Sequence, residues 1–232
     1  MTSVRRNARI AGFLYLLLGL AAPIRLLVIP SMLFVKGDAT ATAANIAAHE
    51  GLFRLGIVTD LFSGTILIFI VLAFHRLFKD VDWDQSVRLI LLGGVLPAAI
   101  YFLNVANDLA ALLLVRGADY LAVFDKPQRD ALAMFFLRLH GQEILAAETL
   151  WGLWLFPMAI LTWKSRFLPR FLAVWLGLNG ASYLALSFIG ILWPHLEDTA
   201  STIAFPAQMG EVVFMLWLLI MGAKERPAET TA

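Results

Sequence analysis

Apolar residues run along this chain in six long blocks, at about residues 8–34, 51–78, 87–115, 128–163, 167–193 and 202–223, parted by short polar connections. A bilayer core about 30 Å thick is crossed by about 20 apolar residues at 1.5 Å each. Every block meets that length, so the pattern predicts an all-α, polytopic transmembrane bundle of six spanning helices. Several blocks exceed the minimum, which predicts tilt, kinks or ends that project past the lipid. Pro23, Pro97 and Pro157 are the candidate kink points, because each removes a helix hydrogen bond. No polar stretch between blocks is long enough for a soluble domain, and residues 1–232 read as one integral membrane domain.

Some connections carry signals of their own. Residues 38–50 (DATATAANIAAHE) read as a helical lead-in to the second span, with Asp38 or Thr40 as N-cap. Asp125, followed by Pro127 and Gln128, has the layout of a capped helix start. Arg5, Arg6 and Arg9 ahead of an apolar run from Ile10 have the look of a signal peptide. Pro23 and Arg25 spoil its cleavage end, so a retained first helix is expected.

Charge then orients the bundle. Arg5, Arg6, Arg9, Arg76, Lys79, Arg88, Lys164, Arg166, Arg170, Lys224 and Arg226 fall on one side of the alternating connections. Lys36, Arg116, Lys126 and Arg129 fall on the other. Short loops rich in Lys and Arg stay cytoplasmic. Eleven basic residues against four therefore place both termini in the cytoplasm. Only 15% of residues are charged, against about 25% in soluble domains, which leaves too little charge to solvate a soluble surface. A net charge of +1 gives no field to draw nucleic acid, so none is expected as a partner.

Ionisable groups within spans are costly and usually face a bundle interior or a cavity. They are Arg25, Arg54, Asp60, Asp108, Arg138, His140, Glu143, Glu148 and Glu211, with Asn104, Asn107, Asn179 and Gln208 beside them. Counted from the outer span ends, Arg25, Asp60, Asp108, Arg138, His140 and Glu211 fall in one layer, roughly 10–18 Å deep at 1.5 Å per residue. Tyr101, Asn104, Asn107 and Asp108 share one face of the third span. His140 and Glu143 share a face of the fourth, with Arg138 and Gln142 nearly opposite, which predicts protein on both sides of that helix. The site expected to take a ligand is thus Arg25, Asp60, Asn104, Asp108, Arg138, His140, Glu143 and Glu211. Arg54, near a span end, is expected to snorkel to the interface.

Other chemistries fail on the residues. The chain has no cysteine, which removes thiolate nucleophiles and cysteine-held metal centres. All five lysines lie in connections or tails, so no span offers a Schiff-base lysine. No His-x-x-x-His pair occurs, and His140 lies about 18 Å deeper than His49 and His195 by helix rise. No metal is expected from that spacing, and no cofactor is indicated.

The segments GDATATAANIAAHEGLFRLGIVTDLF, LAALLLVRGADYLAVF, FFLRLH and FLPRFLAVWLGLNGASYL together resemble a bacterial membrane protein family catalogued as domain of unknown function 4386. The likeness runs from about Ala8 to Trp193, and Arg54, Asp60 and His140 sit inside matching segments. Gln142, Glu143 and Glu148 stand where the family usually has apolar residues or glycine. The resemblance implies a multi-pass protein of a bacterial inner membrane and brings no activity with it. Three functions stay open. One is a protein binding or transporting a small polar ligand or ion at a buried site in the outer half of the bundle. Another is an intramembrane enzyme acting on a lipid or amphiphile, with His140 and Glu143 as acid and base. The last is a structural or regulatory partner of another membrane protein. The bilayer and a small-molecule or ion ligand are the expected partners.

Overall fold

Six helices of the computed structural model are long and apolar enough to cross a membrane: Ser3–Leu33, Glu50–Phe78, Trp83–Arg116, Lys126–Ser165, Arg170–Leu192 and Pro194–Ile220, called here the first to sixth spans. The structure describes residues 3–224, and no strand occurs among them. Arg226, counted above among the basic residues, lies outside the described residues.

Helix ends follow local chemistry. The Asp38 side chain accepts from the Ala41 amide and caps a short helix, Ala39–Ala48. That helix stops at His49, whose φ of −125° and ψ of 42° leave the helical region, and leads into the second span at Glu50. At the fourth span, the Gln128 amide donates to Asp125 Oδ1 at 2.8 Å and the Asp125 amide donates to Gln128 Oε1 at 3.0 Å. This reciprocal pair satisfies two donors that a helix start leaves open. Gly117 ends the third span at φ 70°, a left-handed position that suits glycine. The sixth span starts at Pro194, eight residues before the apolar pattern does. Glu197 and Asp198 in its first turn complement the positive end of the helix dipole.

Prolines shape two spans in the same way. In the first, the Ile29 amide reaches back five residues to the Ile24 carbonyl, closing a π turn over Ile24–Val28, and Pro30 follows. In the third, the Leu96 amide reaches the Leu91 carbonyl across Leu91–Val95, and Pro97 follows. Each proline brings no N–H to continue the regular ladder, and the wide turn absorbs the defect. Pro97 was a candidate kink point from sequence; in the first span the proline so placed is Pro30. Pro157 lies within the fourth span's α-helix.

The chain packs as two compact units, and the first four spans contribute to both. Among the described residues, one unit comprises 3–17, 66–97 and 145–224. Its core is aromatic: Tyr15 meets Phe74 and Trp154 edge-on, with centroids 5.9 and 5.8 Å apart. Phe78 stacks on Phe167. Small residues let its helices close up. A Cβ on Gly12 would lie 2.6 Å from the Leu219 amide nitrogen, and one on Gly180 would lie 2.9 Å from the Gly152 carbonyl oxygen. Gly177, by contrast, has nothing within 4 Å of an added Cβ.

The other unit comprises residues 18–65 and 98–144. Ile29, Leu33, Ile46, Phe53, Ile57, Val105, Leu112 and Leu137 form its apolar core. The short helix is tied in by Asn45, whose side-chain amide donates to the Leu33 carbonyl at 3.1 Å. This unit holds most of the charge that the sequence places within spans.

Candidate functional site

Four ionisable side chains of the second unit converge, one from each of the first four spans. Arg25, Asp60, Asp108 and His140 expose no more than 2% of their surface. Arg25 projects from the π turn of the first span. Its Nε and Nη2 donate to Asp108 Oδ2 and Oδ1 at 2.7 and 2.6 Å, a two-pronged pairing that fixes the carboxylate plane. Gly56 makes room for this arginine, since a Cβ there would meet its stem at 3.1 Å.

His140 stands between the two aspartates. Its Nδ1 lies 3.3 Å from Asp108 Oδ1, and its Nε2 lies 3.7 Å from Asp60 Oδ2. The shorter contact pairs His140 with Asp108, whereas His140 Nε2 and both Asp60 oxygens are buried without a hydrogen-bond partner. Neighbouring hydroxyls do not relieve Asp60. Thr59 donates to the Gly56 carbonyl and Ser63 to the Thr59 carbonyl, each at 2.7 Å, within their own helix. Asn104 secures the backbone at the site, because its Nδ2 donates to the His140 carbonyl at 3.2 Å. Asn107 in turn donates to Asn104 Oδ1 at 3.0 Å.

Five of the eight residues expected from sequence therefore come together: Arg25, Asp60, Asn104, Asp108 and His140. Arg138 is exposed and Glu143 half-buried, and neither makes an ion pair within the set. Gln142 is exposed as well, so the fourth span is not sheathed on both faces by its own chain. Two physical reasons account for this. The fourth span has 40 residues, about 60 Å at 1.5 Å each, so counting from its end overstates depth. Glu143 also lies about 60° around the helix from His140, enough to turn it off the cluster.

Glu211 takes its partners within the first unit. It accepts from the Tyr15 hydroxyl and, at 3.0 Å, from Asn179 Nδ2, with Tyr183 as a further donor. Arg54 is exposed and bonds Glu50 at 2.7 Å, which fits the surface role expected of it. Glu148 is half-buried, with Oε2 buried and unpartnered.

As chemistry, the converged set offers two carboxylates and an imidazole. One ligating atom from each of Asp60, Asp108 and His140 falls within 4.8 Å of the others. Sequence reasoning missed the reason Arg25 can reach this point, which is the π turn. Its only sequence signal was Pro30, just beyond the turn.

No curated protein and no solved structure matches the chain. One family's sequence profile, described as a domain of unknown function (DUF4386), matches residues 10–222. The match covers nearly the whole sequence, and the chain belongs to this family.

Proposed function

We propose that this protein, lying in a bacterial inner membrane with both termini in the cytoplasm, binds or transports a small polar ligand or ion at the cluster of Arg25, Asp60, Asn104, Asp108 and His140. The uneven share of basic residues between alternate connections supports the orientation. The site reading is carried by one observation: Asp60 is fully enclosed, yet neither of its carboxylate oxygens has a hydrogen-bond partner. An unsatisfied buried polar group costs about 1–3 kcal/mol, and more when charged. Packing alone is better served by apolar residues of similar volume. Side chains kept in that state fit a site whose missing partner is a ligand.

Thermal melting of Asp60→Asn tests this, using detergent-solubilised protein dialysed against chelator and low salt. A structural aspartate would lower the melting temperature by several degrees when replaced. The ligand-site reading expects a melt equal to or above that of the parent. A clearly lower one would end it.

A further inference from the structure

Resting on that reading, we infer that Asp60, Asp108 and His140 form a binding site for one divalent transition-metal ion of the zinc class. The donor set comes first. It consists of one imidazole nitrogen and two carboxylate oxygens, drawn from three different spans and all buried. Imidazole suits zinc and its neighbours, whereas calcium and magnesium take oxygen ligands. A copper(I) site would want sulfur ligands, and no cysteine exists in the chain to supply thiolate.

Spacing comes next. With metal–ligand bonds of about 2.0–2.1 Å, the edges of a tetrahedral site measure roughly 3.3–3.4 Å. The separation of His140 Nδ1 from Asp108 Oδ1, 3.3 Å, already equals such an edge. Asp108 is held in place by Arg25 through both of its oxygens. Asp60 has no hydrogen bond to break, so its carboxylate is the ligand free to swing toward the ion. His140 offers the ion one ring nitrogen, and its Nε2 is buried without a hydrogen-bond partner, 3.7 Å from Asp60 Oδ2.

Charge sets the rest of the coordination sphere. Arg25 and the two carboxylates sum to one negative charge when His140 is neutral. A divalent ion leaves one positive charge in a setting of low dielectric, where net charge is costly. Three protein ligands also leave a coordination position open, as in catalytic rather than structural zinc sites. A small anion or an anionic group of a ligand fills that position and cancels the charge together. Arg25 therefore serves as an outer partner that orients one ligand and shapes which fourth ligand is accepted. This departs from the expectation of no metal, which rested on histidine spacing and the lack of cysteine.

The experiment uses full-length protein carrying no polyhistidine tag, stripped with chelator in detergent and titrated calorimetrically with ZnCl₂ and, separately, MnCl₂. One ion per chain is expected. Asp60→Asn and His140→Gln should each weaken binding beyond the roughly 10–100-fold typical of losing an outer-shell partner. Glu143→Gln and Arg138→Gln should leave it unchanged. Co²⁺ loading gives a second readout, an absorption spectrum of the tetrahedral type that His140→Gln abolishes. Should His140→Gln fail to fold, Asp60→Asn and Asp60→Glu supply the comparison. No stoichiometric binding by the parent, or equal affinity in Asp60→Asn, overturns the metal site. Its failure is separable from that of the function proposed above. Loss of the metal site alone leaves the melting result for Asp60→Asn standing, whereas a destabilised Asp60→Asn removes both.

Discussion

Two polar networks lie within the spans, and they are finished to different degrees. Around Glu211, the Tyr15 hydroxyl, the Asn179 amide and the Tyr183 hydroxyl all donate to one carboxylate. Around Asp60 and His140, both Asp60 oxygens and His140 Nε2 are buried without a hydrogen-bond partner, while Asp108 beside them is doubly bonded to Arg25. A carboxylate with a donor on each oxygen does its work by holding helices together. One left incomplete in an apolar interior costs stability, and that cost is retained where function needs it. The contrast separates a structural carboxylate from one available to a ligand without any appeal to depth.

Substitutions can break this contrast at graded strengths. The largest effect is expected from Asp108→Ala, which strands the Arg25 guanidinium in a buried site. Removing one partner of a buried pair costs about 3–5 kcal/mol, so the variant should melt far below the parent or fail to accumulate in the membrane. Tyr15→Phe comes next. It takes one donor from Glu211, and a buried acceptor deprived of its partner costs about 1–3 kcal/mol, read as a lower melting temperature. Asp60→Asn should cost nothing or stabilise. If Tyr15→Phe proved neutral while Asp60→Asn destabilised, the assignments of the two networks would have to be exchanged.

The smallest effect is expected at Asp82, in the connection between the second and third spans. Its carboxyl is held below the ordinary 3.8 by the Lys164 ammonium, at 2.7 Å, and by the Gln85 amide. A lowered carboxyl stabilises the fold fully above the unfolded value, and that share is lost as pH falls through the folded one. Melting followed downward from pH 6 should therefore show a shallower acid decline for Asp82→Asn than for the parent. Parallel curves would mean that the exposed pair adds nothing.

Much of the fold could be read from the sequence because a bilayer imposes a length and an apolar composition on anything that crosses it. The second, third and fourth spans begin and end within four residues of the apolar blocks, and the caps at Asp38 and Asp125 are as local chemistry dictates. The sixth span ran further than its block because Glu197 and Asp198 belong to a helix start and not to a loop. The site was less legible. Counting residues gives height along a helix but not which neighbour a side chain meets. Asp60, Asp108 and His140 were grouped correctly by height, yet Arg138 and Glu211 were grouped with them on the same grounds. Tertiary packing decides the partners, and it is not written in local spacing. The completeness of the Glu211 network depends on Tyr15 and Asn179, far away in sequence, and no pattern near Glu211 announces them.

The π turn that carries Arg25 has a consequence for how this chain tolerates insertion and deletion. Five residues do there what four would do in a regular ladder, so the turn holds one surplus residue. Deleting Leu26 or Leu27 would restore ordinary pitch with little rotation of the flanking helix, but it would remove the wide turn from which Arg25 projects. The bilayer would still be crossed, but Asp108 would lose its two-pronged pairing with Arg25 and keep only His140 beside it. Among relatives, a one-residue gap between the counterparts of Pro23 and Pro30 should therefore coincide with a changed residue opposite the arginine.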